Sequence, residues 1–284
     1  MQNVDDAKFK ADDAPYFKFP AFRIPFFKRR VALAWRQLFH ERQRLFAAIL
    51  GILFADVLMF MQFGFEGALF DLCRTIPKNL QADIVIINKQ TQTISLQPQP
   101  FSRRNLYAAM NNENIASGQS LYLASTPWKN PENGVERSIL VVGFEPYEPL
   151  LNVEGVAEQL PKMRQTDDVL FGRYSRPEFG NVADFLEKGE RYFVEVNRRK
   201  MQVTGLAKIG ASFANDGTII TSDLNFLRIF PTRKPEQIDV ATLRIKDGAD
   251  VKQVKAELEK SLSSDLRVLT KAEFGDFEQD YWTG

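Results

Sequence analysis

The sequence predicts an α+β protein in which an N-terminal amphipathic helix and one transmembrane helix precede a two-lobed exported domain. Three observations lead to this prediction. Residues 45–65 are an apolar run with a single charged residue. Beyond that run, short strand-like and helix-like segments alternate. A strand–helix–strand pattern occurs at both ends of this second part, and the stretch between them is richer in strands, so we expect a βαβ-type lobe with a β-rich lobe inserted into it.

The apolar run has the length of a membrane span. At about 1.5 Å per residue, a helix over residues 45–65 extends about 30 Å, the thickness of the hydrocarbon core of a bilayer. Residues 23–44 carry seven Lys or Arg and one acid, whereas Glu66 opens the other flank. The positive-inside rule therefore keeps the N-terminus cytoplasmic and exports everything after residue 65. A cleaved signal peptide has a shorter apolar core, which leaves a buried helix of a soluble domain as the alternative.

Two segments precede the span. Residues 1–26 are predicted to be a disordered cytoplasmic extension, because their first part is polar and rich in Asp. Residues 27–44 carry apolar side chains at helical spacing, flanked by basic ones, which predicts an amphipathic helix. Such a helix lies in the headgroup layer of a membrane. Packing against the helices of a partner protein is the alternative.

The predicted span contains a carboxylate and several small residues. Asp56 lies near its middle, where a charged side chain is costly and usually faces protein or water. Ala48, Gly51 and Ala55 give the same helix a side suited to close packing. We therefore expect this helix to pack against other membrane helices, from a partner or a second copy. An Asp56 that is protonated or reaches the membrane surface is the alternative.

The exported domain is expected to span residues 66–275. Its βαβ lobe combines residues 66–149 with 232–275, and its β-rich lobe covers residues 150–231. In the β-rich lobe a hairpin is expected over 190–207, with its turn at Asn197-Arg198. Strands of the βαβ lobe are expected over 83–88, 121–125, 137–144, 238–245 and 266–270, and helices over 102–110 and 250–262. Residues 276–284, with Tyr281 and Trp282, look like the start of a second transmembrane helix.

The expected exported domain lacks the residues that the common enzyme mechanisms require. His40 is the single His and lies before the span, and Cys73 is the single Cys. A Ser–His or Cys–His centre and a His-based metal site are therefore excluded there. The sequence has no phosphate-binding loop. Its formal net charge of +1 does not indicate the excess of positive charge that is typical of nucleic-acid-binding proteins. We expect no catalytic, cofactor-binding or metal-binding residues.

Several strings resemble a known family. They are LGILFADVLMFMQFGFEGALFD, NLQADIVIIN, FSRRNLY, SRPEFG and, most specifically, IGASFANDGTIITSDLNFLRIFP at residues 209–231. They resemble DevC-type permease subunits of cyanobacterial ABC exporters, which belong with MacB- and FtsX-like permeases. The resemblance implies an inner-membrane protein with a two-lobed periplasmic domain and three further membrane helices. The chain is thus expected to be truncated after its periplasmic domain.

The resemblance also implies function and partners. A separate ABC ATPase subunit would bind ATP and Mg. A periplasmic membrane-fusion protein would link the permease to a TolC-like outer-membrane channel, and two permease subunits would form a dimer in membrane lipid. The implied mechanism is mechanical transmission to the fusion protein. A single-span FtsX-like regulatory protein is the alternative, and a membrane-anchored enzyme comes third.

Partner contacts are expected at two turns of the exported domain, around residues 127–134 and 197–200. The turns are rich in Asn, Pro and basic residues, which is typical of exposed loops. The candidate contact residues are Trp128, Asn130, Arg198 and Arg199. No nucleic-acid partner is expected.

Overall fold

The computed structural model describes residues 42–96, 98–212 and 214–283. The chain divides into two compact units, residues 1–62 and residues 63–284. The predicted extension over residues 1–26 and most of the predicted amphipathic helix over residues 27–44 lie outside the described residues. The two units are described separately below.

Helix α1 (Arg42–Cys73) contains the predicted span. It is long and apolar enough to cross a membrane, and its most apolar stretch is not buried by any described part of the chain. Large side chains such as Phe54 and Phe60 are mostly exposed along it. The core helix of a soluble domain would instead be covered, so the exposure favours a lipid environment for this helix.

The second unit contains the remaining elements. Its strands are β1 (Ile84–Asn88), β2 (Phe101–Ser102), β3 (Ile115–Lys129), β4 (Glu136–Phe144), β5 (Asp168–Tyr174), β6 (Tyr192–Val196), β7 (Arg199–Gly210), β8 (Thr218–Ser222), β9 (Gln237–Ile238), β10 (Val240–Ile245) and β11 (Leu266–Thr270). Its further helices are α2 (Thr75–Asn79), α3 (Arg104–Met110), α4 (Leu160–Met163), α5 (Val182–Glu187), α6 (Asp223–Ile229), α7 (Val251–Ser261) and α8 (Lys271–Thr283). Short 3₁₀ helices cover Ala157–Gln159 and Pro177–Phe179.

One sheet contains nine of these strands, in the order β11-β1-β10-β3-β4-β8-β5-β7-β6. The first four are antiparallel neighbours. Helix α3 connects β1 to β3, and α7 connects β10 to β11, which is a split βαβ arrangement. The Asp250 side chain caps α7 by accepting the Lys252 N–H at 2.8 Å, as the sequence predicts. We call β11-β1-β10-β3 and these two helices the βαβ half.

The other strands close into a barrel. Strand β6 pairs with the far end of β3 through Trp128 opposite Val196 and Lys129 opposite Glu195. The strands β3, β4, β8, β5, β7 and β6 therefore form a closed ring. Alternate residues of these strands point into it and are apolar and buried, including Val169. Closure leaves the barrel strands without a free edge there.

Strand β3 belongs to both halves. Its residues up to Leu121 pair with β10, and those from Leu121 onward pair with β4. The sequence predicts only a short strand over 121–125, because only that stretch is continuously apolar. The strand is longer because it has two different partners in succession. A single element thus connects the βαβ half to the barrel.

The predicted hairpin over 190–207 is confirmed. Strands β6 and β7 pair antiparallel, and both Asn197 and Arg198 have positive φ, 49° and 63°. Two successive residues with positive φ form the turn that matches the twist of a two-stranded hairpin. The predicted strand over 238–245 is interrupted at Asp239, for a reason given below.

Candidate functional site

The two predicted turns lie next to each other. They are about 70 residues apart in the sequence, but the pairing of β3 with β6 places both at one end of the barrel. The Asn197 N–H donates to the Pro127 carbonyl at 3.1 Å, which joins them directly. Between them lies a groove of about 390 Å³. We call it the tip groove; its lining residues are Lys129, Asn130, Pro131, Gly134, Phe193, Val194, Glu195, Arg198 and Lys200.

The tip groove is mainly basic. Three of its lining residues, Lys129, Arg198 and Lys200, carry positive charge, against one acid, Glu195. The Lys200 Nζ lies 4.5 Å from the centre of the Phe193 ring, and that ring is exposed. A basic groove beside an exposed aromatic ring is suited to a partner segment with both carboxylates and apolar side chains.

Trp128 is not exposed, so the prediction of a surface position for it is wrong. Its side chain is fully buried in the barrel, and its Nε1–H donates to the Phe179 carbonyl at 3.1 Å. Its ring centre lies 5.2 Å from that of Phe171. In an extended strand neighbouring side chains point to opposite faces, so Lys129 points outward while Trp128 points inward.

Asn130 is also buried and shapes the turn from inside, which again corrects the predicted exposure. Its Nδ2 donates to the Glu178 carbonyl at 2.9 Å, and its Oδ1 accepts the Glu132 N–H at 2.8 Å. The second bond is the local side-chain-to-backbone contact that Asn often makes in turns. A direct partner contact is therefore not carried forward for Trp128 or Asn130.

Arg198 and Arg199 differ from each other. Arg198 is exposed at the hairpin turn, as expected for a contact residue. Arg199 is half-buried and makes a two-bond ion pair with Asp167, with distances of 2.8 and 2.9 Å. That hydrogen bonding raises the pKa of the Arg199 guanidinium. Arg199 thus holds β7 to the residue before β5, and Arg198 is the better contact candidate.

Of the tip-groove residues, Lys129 and Lys200 lie within the two predicted turns but were not named as contacts, and Phe193 lies outside both turns. Their signal was the alternation of polar and apolar residues along β3 for Lys129, along β6 for Phe193 and along β7 for Lys200. That alternation predicts which side chains are exposed. It does not predict that the β3 end lies beside them.

A second candidate site lies where the chain after α1 meets α8. The Arg74 Nε donates to the Gly275 carbonyl at 3.2 Å, and its guanidinium pairs with Asp276. Beneath this contact, Phe274 is buried in a hydrophobic cluster that also contains Ile76, and Cys73 is buried as well. We call this contact region the base. A cavity of about 690 Å³ opens here; its lining residues are Asp71, Arg74, Pro77, Lys78, Lys271, Ala272, Gly275 and Asp276.

The base is connected to two neighbouring strands. Helix α2 leads into β1, and β11 leads into α8. Ile84 at the start of β1 lies opposite Thr270 at the end of β11. The Lys271 N–H donates to the Asp83 carbonyl at 3.0 Å, which closes the corner. A displacement of either segment therefore reaches the same pair of strands.

Asp239 occupies the point where β3 leaves β10 for the barrel. Its fully buried carboxylate accepts the Leu123 N–H at 2.9 Å and pairs with Arg233 at 2.6 Å. Burial raises the pKa of Asp239, while the Arg233 guanidinium acts in the opposite direction. The side chain replaces the backbone partner that β10 would have given to Leu123, and this explains the interruption of the predicted strand.

The candidate helix-packing residues lie on the part of α1 within residues 42–62. Ala48, Gly51, Ala55 and Asp56 are all exposed there. A Cβ added at Gly51 would meet no atom within 4 Å. The spacing of residues 48, 51 and 55 places them on one helix face. Their contact with another helix stays a prediction.

The described residues contain no group of three or more His, Cys, Asp and Glu placed to hold a metal ion. The two sites above consist instead of basic, aromatic and hydrogen-bonding groups at the ends of strands.

No family model matches the sequence, and no curated protein is detectably similar to it. Among solved structures, the periplasmic region of MacB from Actinobacillus actinomycetemcomitans is 11% identical, with a TM-score of 0.45; the match covers 71% of this chain and 94% of that one. The extracellular domain of the noncanonic ABC-type transporter YknZ from Gram-positive bacteria is 9% identical, with a TM-score of 0.46; that match covers 66% of this chain and all of the other.

Proposed function

We propose that this chain is the permease subunit, or the N-terminal portion of one, of an ATP-driven ABC exporter of the MacB/DevC-like type. The observation that carries the assignment is the sequence resemblance, above all over residues 209–231. The exposed apolar helix α1, followed by a mixed α+β domain, is compatible with it. In this proposal α1 spans the inner membrane, the N-terminus is cytoplasmic, and the residues after 65 are periplasmic.

The proposed role is mechanical. ATP bound with Mg on a separate ATPase subunit would move the membrane helices of two permease subunits. In this chain the contact of Arg74 with α8 ties the segment after α1 to the last helix. The paired strands β1 and β11 would receive the movement, and β3 would carry it to the barrel, because β3 runs through both halves. The chain itself supplies binding surfaces and stiffness.

The tip groove is the proposed contact with the membrane-fusion protein. Its exposed residues Lys129, Arg198 and Lys200 offer positive charge, and Phe193 offers an apolar ring. Aromatic residues and Arg are enriched at protein-binding surfaces, and positive charge steers the approach of an acidic partner. The fusion protein would in turn connect to a TolC-like outer-membrane channel. The membrane lipid around α1 and the small-residue face of α1 complete the set of proposed contacts.

Co-purification tests this proposal. The tagged full chain is expressed with the ATPase and fusion protein of the same exporter, and the detergent-solubilised complex is isolated. We expect the fusion protein to co-purify with the chain. If the chain retains neither the fusion protein nor the ATPase, the exporter assignment is wrong.

A second candidate is a single-span, FtsX-like regulatory protein. The exposed apolar helix α1 with the mixed α+β unit that follows it is compatible with this reading as well. This reading predicts that the exported domain co-purifies with a periplasmic hydrolase and not with a fusion protein. The DNA beyond codon 284 also separates the two, because three further in-frame apolar spans are expected only for the permease.

A further inference from the structure

Helix α8 carries a buried carboxylate that the proposed function does not yet use. Glu278 has no exposed surface. Its Oε1 accepts the Ile94 N–H at 2.7 Å, and its Oε2 accepts the hydroxyls of Thr93 at 2.8 Å and Ser95 at 3.0 Å. All three donors are neutral groups of one short segment. A buried carboxylate is costly unless its oxygens are hydrogen-bonded, and here both are.

The position of Glu278 on α8 is one where packing alone would favour an apolar residue. Phe274 lies one turn earlier on the same face and is fully buried, and Phe277 packs on the same hydrophobic cluster. Instead of extending that cluster, the side chain at 278 binds the segment between β1 and β2. These contacts join α8, as far as Glu278, to the unit that contains β1, and the start of a membrane helix at residue 276 stays a prediction.

The bound segment, residues 91–96, continues the connection toward the barrel. It is irregular in structure, yet Thr91 and Ile94 are buried. The Ser95 carbonyl accepts the Nδ2–H of Asn215 at 3.4 Å. Asn215 is itself buried, and its Oδ1 accepts the hydroxyl of Ser138 in β4 at 3.3 Å. Hydrogen bonds therefore run from α8 through residues 93–95 and Asn215 to a barrel strand.

We propose that Glu278 is a positioning residue that anchors residues 93–95 as a relay between α8 and the barrel. The relay is a second route beside the one through β1, β11 and β3, and it rests on the proposed function in that α8 is taken to move with the membrane helices. A shift of α8 would displace Ser95, and through it Asn215, which follows β7 and precedes β8. The barrel strands would then respond to α8 without a change in the pairing of β1 with β11.

The chemistry of the anchor predicts which substitutions it tolerates. Two of its three donors are hydroxyls, which accept hydrogen bonds as readily as they donate them. The amide of Glu278→Gln retains an oxygen for the Ile94 N–H and presents an NH₂ to the hydroxyls. Glu278→Ala removes every contact and leaves the donors without partners. The relay therefore depends on hydrogen bonding at residue 278 rather than on its charge.

Hydrogen–deuterium exchange of the full chain in nanodiscs tests the relay. In Glu278→Ala, we expect amides of residues 93–95 and of peptides containing Asn215 to exchange about tenfold faster, since leaving a buried hydrogen-bond donor without its partner shifts local opening by that order. Glu278→Gln is expected to exchange like the wild type. The matched control is Glu273→Ala on the same helix, whose carboxylate binds Lys255 and the Thr270 N–H; its effect is expected to stay near residues 255 and 270–273.

Three results would overturn the relay. One is faster exchange at residues 93–95 with wild-type exchange around Asn215 in Glu278→Ala. Another is faster exchange at residues 93–95 and around Asn215 in Glu273→Ala. The third is a Glu278→Gln variant as fast as Glu278→Ala. If Glu278→Ala does not fold, Thr93→Val is the test variant, because it removes one hydrogen-bond donor at nearly constant volume. It must accelerate exchange both at residues 93–95 and around Asn215, by less than the roughly tenfold increase expected for Glu278→Ala.

This experiment is independent of the exporter assignment. It measures coupling within the chain without partners, so a failed co-purification would leave its outcome unchanged. Conversely, a chain that binds the fusion protein but shows no coupling from residue 278 to Asn215 would refute the relay alone.

Discussion

Replacing Trp128 with alanine should lower the free energy of unfolding by about 4–5 kcal/mol, at the upper end of the range for a buried aromatic residue. The side chain is fully buried between barrel strands, with Phe171 and Phe179 within ring contact. The substitution also leaves the Phe179 carbonyl without its indole donor. Trp128→Phe keeps most of the ring contact and loses that hydrogen bond, so its expected cost is about 1–2 kcal/mol.

The assay is chemical denaturation of the full chain in detergent, followed by far-ultraviolet circular dichroism. Lys129→Ala is the matched control, because Lys129 is the next residue of β3 and points outward. Its effect is expected to stay within about 0.5 kcal/mol. The same three variants are then tested for binding to the fusion protein at a temperature where all are folded.

A small effect on stability would refute the reasoning. If Trp128→Ala unfolds within about 1 kcal/mol of the wild type and instead loses fusion-protein binding, then Trp128 is a surface contact and the barrel packing is wrong. If it destabilises as expected and the folded fraction binds normally, Trp128 is a core residue.

Three further predictions concern topology, the junction of the two halves and pH. In cells with a permeabilised outer membrane, an impermeant maleimide should label Lys260→Cys in a Cys73→Ala background. It should not label wild-type Cys73, because that side chain is buried. Labelling of residue 260 only after lysis of the inner membrane would show the opposite orientation. Asp239→Ala should cost about 3–5 kcal/mol in a denaturation experiment, because it leaves Arg233 and the Leu123 N–H unpaired at a buried site; a change below about 1 kcal/mol would mean that Asp239 does not hold the junction. Hydrogen bonding from Lys255 lowers the pKa of Glu273 below its usual 4.5. The stabilisation by ionised Glu273 should therefore be complete above pH 4.5 and disappear as the pH falls through the lowered pKa. The difference in unfolding free energy between wild type and Glu273→Gln should follow this course, and a difference that grows on acidification would contradict it.

The sequence predicts well those elements whose signals are local. The hairpin of β6 and β7 follows from alternation around Asn197-Arg198, and α7 follows from an Asp cap and a helical apolar face. Both signals lie within about a dozen residues of the element that they specify. They depend on backbone geometry and capping, which act at that range.

Barrel closure is not encoded locally. It depends on Trp128 and Lys129 pairing with Val196 and Glu195, and no feature of either segment indicates the other. For the same reason the two turns were expected separately and their common groove was not. Non-local pairing of this kind is set by how the whole core packs.

The candidate site was partly predictable. The two turns exist and lie side by side, and their contact with a partner stays a prediction, whereas Trp128 and Asn130 are buried and not on the surface. The alternation within β3 already places Trp128 and Lys129 on opposite faces. Glu278 could not be found this way, because its role depends on residues 93–95, far away in the sequence.

The most direct test of the account is the affinity of the full chain for the fusion protein after charge reversal in the tip groove. We expect Lys129→Glu with Lys200→Glu to weaken binding at least about tenfold and to reduce its salt dependence. The control is Lys246→Glu with Lys252→Glu, two exposed lysines just after β10 and in the first turn of α7, which should bind like the wild type. Wild-type affinity in the groove variant would contradict the proposed contact, and no measurable binding by the wild-type chain would contradict the proposed function itself.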